Sequence, residues 1–193
     1  MTKKMSKELI LASQSPRRRE LLRQCGVNFT IRSADTAELE HADDPASLPR
    51  RNALIKAGAV ADENPSSWVL GADTMILFEN QTVGKPRNMA DAARILQMFS
   101  GKAHQVITGV ALICRELGEK RCWDSVSTVK FKELSPEVIG QYLSSVEVLD
   151  KAGAYGIQEH PEMIIESFSG ELANIIGLPL EELKKQLQDI NLL

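Results

Sequence analysis

A carboxylate inside an apolar strand needs a reason to be there, and Asp73 is such a carboxylate. It stands within Val69-Leu-Gly-Ala-Asp-Thr-Met-Ile-Leu77. This run is too short and too rich in strand-forming residues to favour a helix, and reads as a buried strand. Burying a charge is costly unless it is paired, hydrogen-bonded or bound to a metal. Its small neighbours Gly71, Ala72 and Thr74 leave room for a group to approach. Glu79-Asn80-Gln81 reads as a hairpin turn, which brings Lys85 of Val83-Gly-Lys-Pro86 back beside the strand. An acid and a base delivered by one hairpin suit a metal–phosphate site. The plainer alternative is a strand-end aspartate that makes a turn hydrogen bond.

A second cluster lies near the start, in Ser13-Gln-Ser-Pro-Arg-Arg-Arg-Glu-Leu-Leu22. Ser15 is a good N-cap and Pro16 a good first helical residue. The free N–H groups and positive dipole end of a helix form an anion site. Arg17, Arg18 and Arg19 oppose that dipole unless an anion binds in front of them; otherwise they are three solvated arginines. A third stretch, Asp150-Lys-Ala-Gly-Ala-Tyr-Gly-Ile-Gln158, is rich in small residues and set between regular elements, where a ligand can approach the backbone closely. Taken singly, Lys56 reads as a surface lysine and Glu38 as one acid of a solvated stretch from Asp35 to Asp44.

The elements that must position these groups alternate in kind. A strand over Glu8–Ala12 leads to the helix begun by Ser15, with Leu21, Leu22 and Cys25 inward and Gly26 at its end. A strand from Val27 to Ile31 follows, then a helix from Ser47 to Asp62 with Leu48, Ile55 and Ala59 on one face. Asn64-Pro-Ser-Ser67 is a loop before the Asp73 strand. Asn88 caps a helix striped by Ala92, Ile95, Leu96 and Phe99. Gln105–Cys114 and Arg121–Phe131 form a second hairpin, in which Cys114 and Cys122 are placed to face each other as thiols. Ser135-Pro136 starts a helix that buries Val138, Ile139, Tyr142 and Leu143. A strand from Met163 to Phe168, a turn at Ser169-Gly170 and a helix from Pro179 to Ile190 complete the chain. The order predicts an α/β fold built on a single mixed sheet with helices on both sides.

Bulk properties exclude several classes. The 193 residues suffice for one domain, or for two small lobes around a cleft. A net charge of −3 and only two tyrosines, two tryptophans and five phenylalanines argue against a nucleic-acid surface. No apolar run approaches the roughly 20 residues of a membrane span. Met1 to Leu11 lacks the apolar core and cleavage site of a signal peptide. Three cysteines, odd in number and without metal spacing, suggest free thiols. Together these point to the cytoplasm.

Five segments in order carry a family resemblance: Leu-Ala-Ser-Gln-Ser-Pro-Arg-Arg18, Gly-Ala-Asp-Thr74, Gly-Lys-Pro86, the Asp150–Gln158 loop and Gly-Leu-Pro179. The chain resembles the Maf family of nucleoside triphosphate pyrophosphatases over nearly its whole length. The resemblance implies an elongated, twisted Maf/ITPase-like sheet with an active-site cleft. It also implies a divalent cation (Mg²⁺ or Mn²⁺), and hydrolysis between the α- and β-phosphates to a nucleoside monophosphate and pyrophosphate. Asp73 falls on the catalytic acid, and Arg17, Thr74 and Gln158 on substrate-selecting positions. Glu38, Lys56 and Lys85 fall on polar positions lining the cleft. Glu38 and Asp73 are the expected metal ligands, with Asp73 as base instead or as well. The full substrate-binding set is Ser15, Arg17, Arg18, Lys56, Thr74, Lys85, Lys151 and Gln158.

The loop ending in Gln158 is similar to that of the branch acting on dTTP and UTP; the alternatives are 7-methyl-GTP hydrolysis and a nucleotide-binding regulator of septum formation with little turnover. Glu171-Leu172 stands where family members usually carry Ser or Asp followed by Tyr. A homodimer is a further expectation of the resemblance.

Overall fold

A computed structural model describes residues 8–193 of the chain. The reading of Met1 to Leu11 as carrying no leader falls mostly outside that range. β1 (Leu9–Leu11) is followed by α1 (Pro16–Arg23), which starts as expected: the Ser15 hydroxyl caps it and Pro16 is its first residue. Next come β2 (Phe29–Ile31), α2 (Leu48–Glu63), β3 (Trp68–Phe78) and β4 (Gln81–Val83). They are followed by α3 (Met89–Phe99), β5 (Ala103–Cys114), β6 (Glu119–Phe131) and α4 (Pro136–Ser145). The chain ends with α5 (Pro161–Ile164), β7 (Ile165–Ser169), α6 (Leu172–Ile176) and α7 (Leu180–Asp189).

The seven strands form one mixed sheet in the order β2-β1-β3-β5-β6-β7, with β4 paired to β3 off this path. β1 lies parallel to β2 and β3, whereas β3–β4 and β6–β7 are antiparallel. The hairpin carrying Asp73 closes more tightly than its sequence suggested. Phe78 pairs with Gln81, so the turn is Glu79-Asn80 alone. Both of those residues have positive φ, the conformation of a two-residue hairpin turn whose twist matches the strands.

The chain divides into two compact units. The first comprises the chain up to Asp73 with Thr108–Ser125 and Gly177–Leu193; the second comprises Thr74–Ile107 and Val126–Ile176. The first unit's core has small residues at its centre: Ala53, Ala57 and Ala61 of α2 pack with Ile10, Val69, Ala111 and Ile113. A Cβ on Gly71 would stand 2.5 Å from the Ala53 carbonyl oxygen, and one on Gly109 would stand 2.1 Å from the Arg50 nitrogen. α2 therefore lies against the backbone of β3 and β5, an approach that only glycine permits. This closeness selects the helix's buried face. Asn52, Ala53, Ala57, Val60 and Ala61 are buried, whereas Ile55 and Ala59, expected inside, are only half-buried.

The second unit's core is aromatic. Phe99 stacks on His104 at 4.3 Å, and Phe131 meets Tyr155 edge-on at 5.0 Å. Two corrections belong to this unit. Met163 and Ile164 lie in the helical turn α5 rather than in a strand, because Pro161 starts a helix from a left-handed His160. The short helix α6 lies where no element was expected. In the first unit Cys114 is buried and Cys122 exposed, and neither is in a disulfide.

Candidate active site

The first unit gathers six of the residues singled out by sequence: Ser15, Arg17, Arg18, Glu38, Lys56 and Asp73. At its centre the Lys56 ammonium lies 2.6 Å from Asp73 Oδ1 and 3.0 Å from Glu38 Oε1. The lysine and Asp73 side chains are 17% and 15% exposed, while Glu38 is half in solvent at 51%. A shielded pair is screened far less than a surface one. Lys56 reaches Asp73 because α2 lies against β3 at Gly71, two residues before Asp73 on the strand.

Asn52 precedes Lys56 by one helical turn and was not singled out by sequence. Its amide pairs with the backbone of Leu39 in both directions. Leu39 N–H donates to Asn52 Oδ1 at 2.8 Å, and Asn52 Nδ2 donates to the Leu39 carbonyl at 3.1 Å. The same Nδ2 approaches Asp73 Oδ2 at 3.4 Å. Asn52 thus fixes the loop residue beside Glu38 and touches the second acid. The sequence carried one signal for it, the i, i+4 spacing to Lys56 that puts both on one helix face.

The start of α1 supplies the basic side. Arg18 Nε donates to the Gly177 carbonyl at 2.9 Å and its Nη1 to the buried Ser13 hydroxyl at 3.4 Å. Ser15 Oγ accepts from the Arg18 backbone at 3.4 Å. Desolvation pulls the Arg18 guanidinium below its usual pKa, the Asp73 and Glu38 carboxylates push it back up, and Arg17 lowers it. Arginine's ordinary value is so high that the group stays charged. Arg17 is half-buried in the first helical turn.

No cluster of three or more His, Cys, Asp or Glu side chains suited to a metal occurs among the described residues. An all-protein cage is therefore absent from them. Two carboxylates of one site still fit Mg²⁺ or Mn²⁺, hard ions commonly held by one or two carboxylates with water and substrate phosphates completing the shell.

The second unit holds Thr74, Lys85, Lys151 and Gln158. Thr74 is half-buried on β3; Lys85 and Gln158 are exposed. Lys85 follows Gly84, whose carbonyl accepts from Gly153 N–H at 2.9 Å. Gly153 has φ of +73°, and a Cβ on it would stand 2.3 Å from Ile76 Cδ1, so any side chain here would be strained and would push Ile76 aside. The loop leading to Gln158 is pinned further along. Gly156 N–H donates to the Tyr142 hydroxyl at 3.2 Å, and the Tyr155 hydroxyl meets His104 Nε2 at 2.8 Å. Burial pulls His104 down to about 4, raises the Tyr155 phenol and pushes Tyr142 up to about 12. Lys151 is buried and ion-paired within the loop. Leu172, at the departure from the family pattern, is exposed at the start of α6, and Glu171 contributes its carbonyl to Ser127 Oγ at 3.1 Å.

A family model described as "Maf-like protein" matches residues 8–190. The chain belongs to the Maf family. A dTTP/UTP pyrophosphatase of Akkermansia muciniphila is 45% identical over 94% of this chain and 96% of its own. One of Symbiobacterium thermophilum is also 45% identical, over 93% of this chain and 92% of its own. One of Bacillus cereus is 41% identical over 96% of this chain and 91% of its own. Among solved structures, the Ham1 protein of Staphylococcus aureus superposes with a TM-score of 0.56 at 13% identity, covering 95% of this chain and 99% of that one. At that identity the likeness concerns the fold: one mixed sheet flanked by helices.

Proposed function

We propose that this Maf protein hydrolyses nucleoside triphosphates, dTTP and UTP foremost, to the monophosphate and pyrophosphate. The observation that carries the reading is Asp73 on a buried strand, held at 2.6 Å by Lys56 with Glu38 on the same ammonium. A pure binder of polyanions gains nothing from two carboxylates in its site; a phosphate hydrolase uses them.

Asp73 Oδ1 is occupied by Lys56, whereas among the described residues Oδ2 is met by Asn52 Nδ2 at the long distance of 3.4 Å. In this reading Oδ2 accepts a proton from the attacking water as its oxygen adds to the α-phosphorus, and the bond to the bridging oxygen breaks to release pyrophosphate. Asp73 and Glu38 would hold a divalent cation, which offsets phosphate charge when bound. Arg17 and Arg18 present planar forks to phosphate oxygens at the start of a helix, where the positive dipole end also favours an anion. Lys56 and Lys85 add point charges. Thr74 and Gln158 select the base, the Gln158 amide offering both a donor and an acceptor to a carbonyl beside an N–H. Cytoplasmic location and a homodimer belong to the same proposal; light scattering checks the second.

The test is pyrophosphate release from dTTP, UTP, CTP, GTP, ATP and 7-methyl-GTP, with Mg²⁺ and with chelator. dTTP and UTP are expected to lead, and chelation to abolish turnover. Release of orthophosphate instead would overturn the reaction class, and preference for 7-methyl-GTP would overturn the base assignment alone.

A further inference from the structure

The Lys151 ammonium has three N–H donors and three acceptors within its own loop. It lies 2.9 Å from Asp150 Oδ1 and 3.2 Å from Glu159 Oε2, and it donates to the Glu147 carbonyl. Its side chain is 8% exposed. The bridge runs directly over the loop backbone: a Cβ on Gly156 would stand 3.2 Å from Lys151 Cε and 3.3 Å from Glu159 Cδ. A phosphate could reach this ammonium only by displacing one of its carboxylates or a carbonyl, and the displaced group would lose its partner.

We propose that Lys151 is a positioning residue, not a phosphate ligand: it ties Glu159 to the start of the loop and so fixes Gln158, its chain neighbour, for base recognition. The proposal rests on the reading of Gln158 as a base-selecting residue. The side chain of Gln158 is exposed and its backbone must therefore be held by others. Lys151 holds one end of that segment, and the Tyr142 and Gly84 hydrogen bonds hold the rest.

Lys151→Met, Glu159→Gln and the double variant separate the roles, by three measurements: amide exchange at Ile157 and Gln158, the dTTP-to-GTP ratio of kcat/KM, and inhibition by inorganic triphosphate. Both single variants are expected to speed exchange about tenfold and to reduce the dTTP-to-GTP ratio by about tenfold. KM for dTTP should rise more than kcat falls, and the double variant should be no worse than either single one. Inhibition by triphosphate should stay within about a factor of two of the wild type. If Lys151→Met weakens triphosphate inhibition and Glu159→Gln does not, the ammonium is a phosphate ligand and the proposal falls. It also falls if exchange is unmoved in both. Should Lys151→Met fail to fold, Glu159→Gln alone decides. A wild type without pyrimidine preference would defeat the base assignment, while exchange and triphosphate inhibition would still decide the role of Lys151.

Discussion

The two units solve the problem of polar groups near a core in opposite ways. The first places full charges together and lets them offset one another: Lys56 between Asp73 and Glu38, and Arg18 within their field. Its core is thin, with alanines and glycines letting α2 touch the sheet. The second buries neutral polar groups, His104, Tyr142 and Tyr155, in an aromatic core, and leaves Lys85 and Gln158 outside on a pinned backbone. The difference fixes what mutation should do in each. Removing a member of a shielded charge cluster strands its partners. Removing an exposed side chain from a rigid loop removes only what that side chain touches.

The largest expected effect is at Asp73. Asp73→Asn keeps shape and leaves Lys56 with one carboxylate instead of two, so turnover should fall by about 10²–10⁴. The fold should survive, because the amide oxygen still accepts from Lys56. Pyrophosphate release and a thermal melt check both halves. Retention of more than about a tenth of wild-type turnover would remove Asp73 from the chemistry.

The second unit should answer to pH instead. His104 is held neutral by burial, with a folded pKa of about 4 against 6.5 unfolded. The unfolded chain therefore binds the proton first as pH falls. The contribution is fully present above pH 6.5 and is lost as pH drops toward 4, amounting to about 3 kcal/mol over that window. His104→Phe should flatten that part of the melting profile while sacrificing the Tyr155 hydrogen bond. A wild-type profile level from pH 6.5 to 4.5 would show that His104 charges freely.

How far the sequence reached follows the same division. Helix starts were legible at Ser15-Pro16, Asn88 and Ser135-Pro136 because caps act within one turn. The Asp73 hairpin was legible because its short apolar run and its turn are local. The buried face of α2 was not, since it is set by Gly71 and Gly109 on strands distant in sequence. α6, five residues long, has no period to read. Asn52 was hidden for the same reason as the α2 face. An asparagine in a helix reads as surface until the loop it holds is known.

Asn52 offers an intermediate test of the charge cluster. Asn52→Ala strands the Leu39 N–H and carbonyl, a cost of about 1–3 kcal/mol, and frees Glu38 from its position. The Mg²⁺ concentration for half activation should rise by about tenfold, with kcat at saturating Mg²⁺ falling less. A stability loss with unchanged Mg²⁺ response would make Asn52 purely structural.

The smallest expected change in stability is at Gln158, and it sharpens the comparison most. The side chain is exposed, and the hydrogen bonds pinning its loop are made by Gly153, Tyr155, Gly156 and Glu159 rather than by Gln158. Gln158→Ala should therefore shift stability by no more than about 0.5 kcal/mol. A substrate carbonyl and N–H left without the amide would still be solvated in so exposed a place, so the loss in kcat/KM for dTTP should be modest, about tenfold. Discrimination should suffer by the same factor: dTTP and UTP fall toward GTP, and CTP, which reverses part of the pattern, should change little. Panel kinetics on a variant that melts with the wild type checks this. An unchanged ranking would move base selection away from Gln158 and toward Thr74, without touching the charge cluster that Asp73 and Lys56 define.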